Sequence, residues 1–167
     1  MQYRRLGKTN LEVSVVSFGG IKLPNVEQKE ATAALNRALD LGINYIDTAR
    51  AYRDSERKIG KAVKNRRDEF YIATKTGTRD FEGAMNDIET SLRELQFEKI
   101  DLLQLHTVSN EETYEKVMGP NGALEAAKKA QEQGKVDHIG ITIHRATSVM
   151  RKSIESGEFE TIMLAYS

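Results

Sequence analysis

Four polar side chains of different chemistry lie at or just beyond the ends of apolar segments in this sequence. Asp47, Lys75 and His106 each end such a segment, and Tyr52 follows Asp47 within a short polar stretch. A carboxylate, a phenol, an ammonium and an imidazole are together suited to donate a proton to a carbonyl oxygen. The pattern therefore predicts acid–base chemistry on a carbonyl group, provided that the fold brings the four side chains together.

Tyr52 is the natural proton donor of this set. The ordinary pKa of a tyrosine is about 10, which is too high for an efficient acid at neutral pH, and a neighbouring ammonium would lower it. We expect Lys75 to have this effect on the pKa of Tyr52, while Asp47 keeps the lysine charged and oriented. His106 would hydrogen-bond the substrate oxygen or shuttle the proton.

Each of these residues, taken alone, has a structural explanation. Asp47 could cap a turn, Lys75 could be solvated, Tyr52 could pack at the edge of the sheet and His106 could be a core histidine. Their coincidence on successive units favours the chemical interpretation. The set has no source of electrons, so a reduction would require a bound hydride carrier.

The elements that would position these residues alternate between strands and helices. A hairpin is predicted over residues 2–14, with a turn at 7–10. Strands are then predicted at 15–18, 43–47, 70–75, 100–106, 136–142 and 161–166. Helices are predicted from Asn25, which forms a capping box with Gln28, and at 55–64, 84–95, 111–118, 123–133 and 148–156.

This alternation predicts a parallel sheet, because strands that are separated by helices run in the same direction through right-handed crossovers. An open doubly wound sheet and an eight-unit barrel both fit the periodicity. In either architecture the carboxyl ends of the strands share one edge, where ligands bind. The four polar residues should therefore converge on that edge.

Length and composition point to one domain with balanced charge. The chain has 167 residues, 25 basic and 25 acidic side chains, and no cysteine. These values give no reason to expect a nucleic-acid partner or a disulfide, and no metal site is predicted. No segment reaches the roughly 20 apolar residues of a membrane span. A cytoplasmic location without a membrane partner is the expectation.

The chain resembles the aldo-keto reductases, which are NAD(P)H-dependent enzymes on a (β/α)8 TIM barrel. Matching segments occur along the whole chain in the order of that family. They are residues 6–9 (LGKT), 17–20 (SFGG), 46–49 (IDTA), Tyr52, 55–56 (SE), 72–75 (IATK), 101–106 (DLLQLH) and 140–142 (GIT).

The resemblance implies a catalytic tetrad of Asp47, Tyr52, Lys75 and His106, with Tyr52 as the general acid. It also implies that NADPH, or NADH as the alternative cofactor, delivers hydride to the carbon of a small aldehyde or ketone. Cofactor contacts would come from Gly19, Gly20, Asp47 and Thr142. The substrate itself is set by variable loops in this family.

Several departures from the family pattern affect these expectations. Ile143 stands where many members have asparagine, and Met163 stands where they have glutamine, which weakens the usual clamp on the nicotinamide amide. Strands seven and eight, whose following loops bind the remainder of the cofactor, have no counterpart before Tyr166-Ser167. We therefore expect a TIM barrel truncated to about six strands, with self-association or a complementing C-terminal segment covering its edges.

The sequence leaves two alternatives to a reductase. A catalytically silent barrel fragment, acting as an assembly module, is the main alternative to an enzyme. An open-sheet protein that binds a phosphate-bearing ligand is disfavoured, because Gly19-Gly20 lacks the spacing of a dinucleotide fingerprint. His138 and His144 are expected to be structural, and Arg50 and Arg53 to be solvated residues beside Tyr52.

Overall fold

The computed structural model describes residues 1–165. Within this range an initial hairpin of two strands is followed by six strands that alternate with helices, and the structure has six α-helices in all. The strands are β1 (Tyr3–Arg5), β2 (Glu12–Ser14), β3 (Phe18–Gly19), β4 (Tyr45–Asp47), β5 (Tyr71–Thr76), β6 (Ile100–Leu105), β7 (Val136–Ile143) and β8 (Thr161–Leu164). The helices are α1 (Gln28–Asp40), α2 (Ser55–Val63), α3 (Phe81–Leu95), α4 (Glu111–Met118), α5 (Ala123–Glu132) and α6 (Thr147–Ser156).

The main sheet is parallel, and its strand order decides between the two predicted architectures. Its six strands follow one another as β3-β4-β5-β6-β7-β8, so each strand pairs with the next one in the sequence. A doubly wound sheet would reverse its order at a switch point. The sheet is instead a curled half-barrel, which is the arrangement expected for part of a (β/α)8 barrel.

The hairpin docks beside the beginning of β4. Strands β1 and β2 are antiparallel, with Tyr3 opposite Ser14. The side chain of Asn44 accepts a hydrogen bond from Ser14 N at 2.7 Å and donates one to Glu12 O at 2.8 Å. One amide side chain thus satisfies two backbone groups of β2 and fixes the hairpin against the sheet.

Alternation along the strands creates two apolar layers. One set of side chains faces the helices and forms the larger core, and the other faces the interior of the half-barrel. The outer set includes Ile46, Ile72, Leu103, Leu105 and Ile141, and the inner set is Tyr45, Ala73 and Leu102. Because each fully buried aliphatic side chain contributes about 1.5–3 kcal/mol, the outer layer supplies most of the apolar stabilisation.

Two local predictions were wrong. The first parallel strand was expected at 15–18, but it contains only Phe18 and Gly19, and Val15 and Val16 are 50% and 53% exposed. The predicted capping box is also absent, because Asn25 ends a 3-10 turn and α1 begins at Gln28 without a side-chain cap. Apolar residue type alone did not reveal that the backbone at Val15 and Val16 lies outside the sheet.

The remaining elements begin and end close to the predicted positions. Helix α3 begins earlier than expected, at Phe81, because Asp80 accepts a hydrogen bond from Gly83 N and caps it. Strand β8 ends at Leu164, and the predicted extension to Tyr166 lies outside the described residues. Over residues 1–165, no helix combines the length and apolarity needed to cross a membrane.

Candidate active site

The carboxyl ends of β4 and β5 bring Asp47 and Lys75 into direct contact. Lys75 Nζ donates to Asp47 Oδ1 at 2.5 Å and to Thr48 O at 2.7 Å. The lysine side chain is only 1% exposed. An ammonium removed from water in this way is stable only because an anion and a carbonyl replace its hydration. This ion pair forms the base of the site.

Tyr52 lies over this ion pair, and His106 lies beside Tyr52. Lys75 Nζ is 5.2 Å from the centre of the Tyr52 ring. The Tyr52 and His106 rings pack edge to face, with centroids 5.9 Å apart and an interplanar angle of 81°. The fold therefore brings all four residues of the predicted tetrad together at one edge of the sheet. Among residues 1–165 the Tyr52 hydroxyl has no hydrogen-bond partner, which leaves it available to a ligand.

The net shift in the pKa of Tyr52 is opposite in direction to the one predicted. Burial, together with the negative charge of Asp47, raises the pKa of Tyr52 above its ordinary value. The Lys75 ammonium lies against the ring of Tyr52, and its charge is compensated by Asp47. Tyr52 consequently carries its proton throughout the neutral pH range.

His106 is a neutral imidazole at pH 7. Burial, supported by the nearby positive charges of Lys75 and Arg79, lowers the pKa of His106 to about 4. Burial also lowers the pKa of Lys75, although Asp47 and Glu56 oppose this effect. The site thus places neutral hydrogen-bonding groups on top of a buried charged pair.

Gln104 belongs to the same cluster, although sequence reasoning did not select it. Its Nε2 donates to Asp47 Oδ2 at 3.1 Å, so each oxygen of that carboxylate has a donor. Gln104 pairs in register with Lys75 and with Gly140, and it therefore faces the interior as Lys75 does. The signal was a polar residue between Leu103 and Leu105, two positions before His106 and therefore on the same face of the strand.

Arg79 closes the end of β6 and was also missed. Its guanidinium donates to His106 O at 2.7 Å and to Thr107 O at 3.2 Å. These carbonyls follow the last residue of the strand and have no ladder partner there, so the arginine satisfies them. Nothing in the loop sequence distinguishes Arg79 from a solvated arginine.

The two glycines of the predicted cofactor site differ in their surroundings. A Cβ added to Gly19 would meet no atom within 4 Å, so its backbone is open to a ligand. A Cβ added to Gly20 would lie 2.7 Å from Ser55 Oγ and 3.1 Å from Asp47 O. Gly20 therefore permits close packing between two loops of the site.

Thr142 is buried near the carboxyl end of β7. Its Oγ1 accepts a hydrogen bond from Thr107 N at 2.7 Å, which leaves the hydroxyl proton able to bond another acceptor. Thr142 pairs with Met163, which lines the interior cavity beside Gln104. Ile143 is fully buried in the outer core, so it does not face the site.

Arg50 is not the solvated loop residue that was predicted. It pairs with Glu56, whose side chain is 1% exposed. Arg53, on the same loop, is exposed and has a positive φ of 49°.

The two other histidines lie apart from the tetrad contacts. His138 binds Glu160 at 2.8 Å near the beginning of β7, and His144 is exposed. In the described part of the chain, no group of three His, Cys, Asp or Glu side chains could hold a metal ion.

Comparison with known proteins gives the same family as the sequence motifs. The Aldo/keto reductase family model matches residues 15–165. The uncharacterized oxidoreductase YqkF of Bacillus subtilis is 30% identical over all of this chain and 56% of its own length. Aldo-keto reductase yakc [NADP(+)] of Schizosaccharomyces pombe is 31% identical over 96% of this chain and 53% of its own length.

A solved structure supports the fold over the full chain. The holo form of aldo-keto reductase AKR11C1 from Bacillus halodurans superposes with a TM-score of 0.87 at 31% identity, covering 100% of this chain and 58% of that one. The chain spans about half the length of the curated relatives that it matches. The motifs, the strand order and these matches agree, and the chain belongs to the Aldo/keto reductase family.

Proposed function

We propose that this chain carries the proton-donating half of an NADPH-dependent carbonyl reductase that converts an aldehyde or ketone to an alcohol. One observation carries the proposal: Tyr52 lies over the buried Lys75–Asp47 pair and beside His106. This arrangement is suited to protonating a carbonyl oxygen as negative charge develops on it.

The substrate oxygen would lie between the Tyr52 hydroxyl and the imidazole of His106. His106 orients the carbonyl through a neutral hydrogen bond, and Tyr52 transfers its proton to the oxygen. The phenolate that this transfer leaves is stabilised by Lys75 beneath the ring, and Asp47 holds Lys75 in place. The raised pKa of Tyr52 keeps the proton on the phenol until the substrate oxygen becomes basic.

The hydride would come from a bound nicotinamide cofactor. The residues at the strand ends fit such a group: Gly19 is open on its Cβ side, Thr142 retains a free hydroxyl proton, and Asp47 lies between them at the edge of the sheet. Gly20 shapes the loop that follows Gly19. The name of the fission yeast relative specifies NADP(+), which favours NADPH over NADH.

The complete catalyst would include more of the barrel than the strands described above. We infer that an eight-strand barrel is the working form, because relatives of about twice this length share the fold. A silent assembly module remains the competing function. Cofactor binding and turnover distinguish the two.

The test is NADPH fluorescence titration followed by reduction of a reactive aldehyde. In Tyr52→Phe, kcat should fall by roughly 10²–10⁴-fold while the Kd for NADPH changes little, because only the acid is lost. Tyr71→Phe is the matched control. Tyr71 is another half-buried tyrosine, at the beginning of β5, and its hydroxyl has no place in the mechanism.

Two results would contradict the proposal. Turnover that survives in Tyr52→Phe would remove the assigned acid. Absence of both NADPH binding and turnover in a wild-type protein that contains the complete eight-strand barrel would favour the silent module.

A further inference from the structure

We propose that Glu56 is a positioning residue that acts through Arg50 to hold the loop carrying Tyr52. The inference rests on the proposed function, because it assigns a support to the proton donor of that reaction. It concerns an ion pair that the mechanism itself does not use. Arg50 lies in the loop between β4 and α2, and Glu56 lies in the first turn of α2.

The burial of Glu56 is the first observation. Its side chain is 1% exposed, and both carboxylate oxygens are engaged: Oε2 with Arg50 Nη1 and Oε1 with the hydroxyl of Thr74 at 2.6 Å. A buried carboxylate without partners is costly, so this geometry is strongly maintained once formed. Arg50 is 23% exposed and is the cationic partner of Glu56.

The connections of Glu56 lead to the catalytic elements. Thr74 directly precedes Lys75 on β5, and Arg50 lies two residues before Tyr52. The backbone of the loop is attached to the same strand, since Arg50 N donates to Lys75 O at 3.1 Å. Glu56 therefore joins the loop of the acid to the strand of the lysine from the side opposite the substrate.

The neighbouring residue Ser55 binds the loop that follows β3 to the beginning of α2. Its Oγ donates to Gly20 O at 2.9 Å and lies 2.8 Å from Thr48 Oγ1, and these groups are buried. The first turn of α2 thus holds the loops that follow β3 and β4 together. The backbone at Tyr52 is also held by Ser55 N, which donates to Tyr52 O at 2.9 Å. The Arg50–Glu56 pair adds a side-chain contact to the part of the loop that precedes Tyr52.

Displacement of an acid by about 1 Å can lower a rate by about 10²-fold. Breaking the pair should therefore reduce kcat by roughly 10–100-fold while the KM for NADPH changes by less than about 3-fold. Arg50→Gln and Glu56→Gln both break it, and the double variant should be no slower than the slower single variant. Arg53→Gln is the matched control, because Arg53 is an exposed arginine on the same loop.

Measurements of thermal stability distinguish a positioning role of the Arg50–Glu56 pair from a general structural role. Arg50→Gln leaves a buried carboxylate without its cation, whereas Glu56→Gln leaves a half-buried arginine that water can reach. The loss of thermal stability should therefore be greater in Arg50→Gln, although the two variants lose similar kcat. If kcat instead falls in proportion to Tm, the role of the pair is structural and the inference is wrong.

Amide hydrogen exchange measured by mass spectrometry gives a readout that does not depend on activity. Peptides covering residues 48–54 should exchange at least about 10-fold faster in Arg50→Gln and Glu56→Gln, and at the wild-type rate in Arg53→Gln. Unchanged exchange and unchanged kcat would overturn the inference. Because Tyr52→Phe is measured beside them, an active Tyr52→Phe protein would show that the proposed function has failed instead.

Discussion

The two edges of the parallel sheet each hold an aspartate paired with a buried or half-buried cation, and only one of them resembles an active site. At the carboxyl edge, Lys75 pairs with Asp47 at 2.5 Å. At the amino edge, Arg67 pairs with Asp101 at 2.6 Å, and the same carboxylate oxygen accepts from Ile72 N at 2.7 Å. Ion pairing by itself therefore does not identify the functional edge.

The difference lies in what surrounds each pair. Arg67 also donates to Phe70 O and Lys99 O, and its guanidinium packs on the rings of Phe70 and Phe97, with its central carbon 5.4 and 5.1 Å from their centroids. A cavity of about 480 Å³ adjoins this cluster, and the guanidinium of Arg67 and the carboxylate of Asp101 that line it are already paired with each other. The Lys75–Asp47 pair instead lies below a phenol whose hydroxyl has no protein partner in residues 1–165.

The strongest test of this comparison is Lys75→Met. The substitution removes the cation that supports the Tyr52 phenolate in the proposed mechanism, and it leaves Asp47 with Gln104 as its remaining side-chain donor. We expect kcat for aldehyde reduction to fall by about 10³-fold, within the range of an acid–base contribution. Single-turnover rates on folded protein, checked by circular dichroism, measure this effect. Near-wild-type rates would show that the ion pair at the carboxyl edge contributes no more to catalysis than the ion pair at the amino edge.

Arg67→Met addresses the opposite edge. It breaks a partly buried pair and removes hydrogen bonds to two carbonyls, so the free energy of unfolding should fall by about 2–3 kcal/mol. The rate per folded molecule should remain within about 2-fold of wild type. Urea denaturation combined with kcat gives both values. A large loss of kcat without loss of stability would mean that the amino edge contributes to catalysis.

Much of this contrast was predictable from the sequence, because strand periodicity and the polar residues at strand ends place Asp47, Lys75 and His106 on one edge. The side-chain contacts that support the active-site residues at this edge were harder to predict from the sequence. Arg50 and Glu56 are six residues apart across a loop and a helix start, and local pattern does not specify their contact. The sign of the shift in the pKa of Tyr52 was also wrong, since it depends on burial and on where the Lys75 charge lies relative to the ring.

The smallest expected effect is on the pH dependence of stability, and it comes from His106, the neutral imidazole at the carboxyl edge. The pKa of His106 is about 4 in the folded protein, and its ordinary value is about 6.5. Between these values the unfolded chain binds a proton that the folded protein does not, so the contribution of His106 to stability is present above pH 6.5 and is lost as the pH falls toward 4.

Replacing His106 by Gln should remove this dependence. Between pH 7 and pH 5, the free energy of unfolding of the wild type should fall by about 1 kcal/mol more than that of His106→Gln, once partial solvent screening is included. Urea denaturation at the two pH values measures the difference, in which titration of all other groups cancels. Equal losses in both proteins would mean that His106 is as readily protonated when folded as when unfolded.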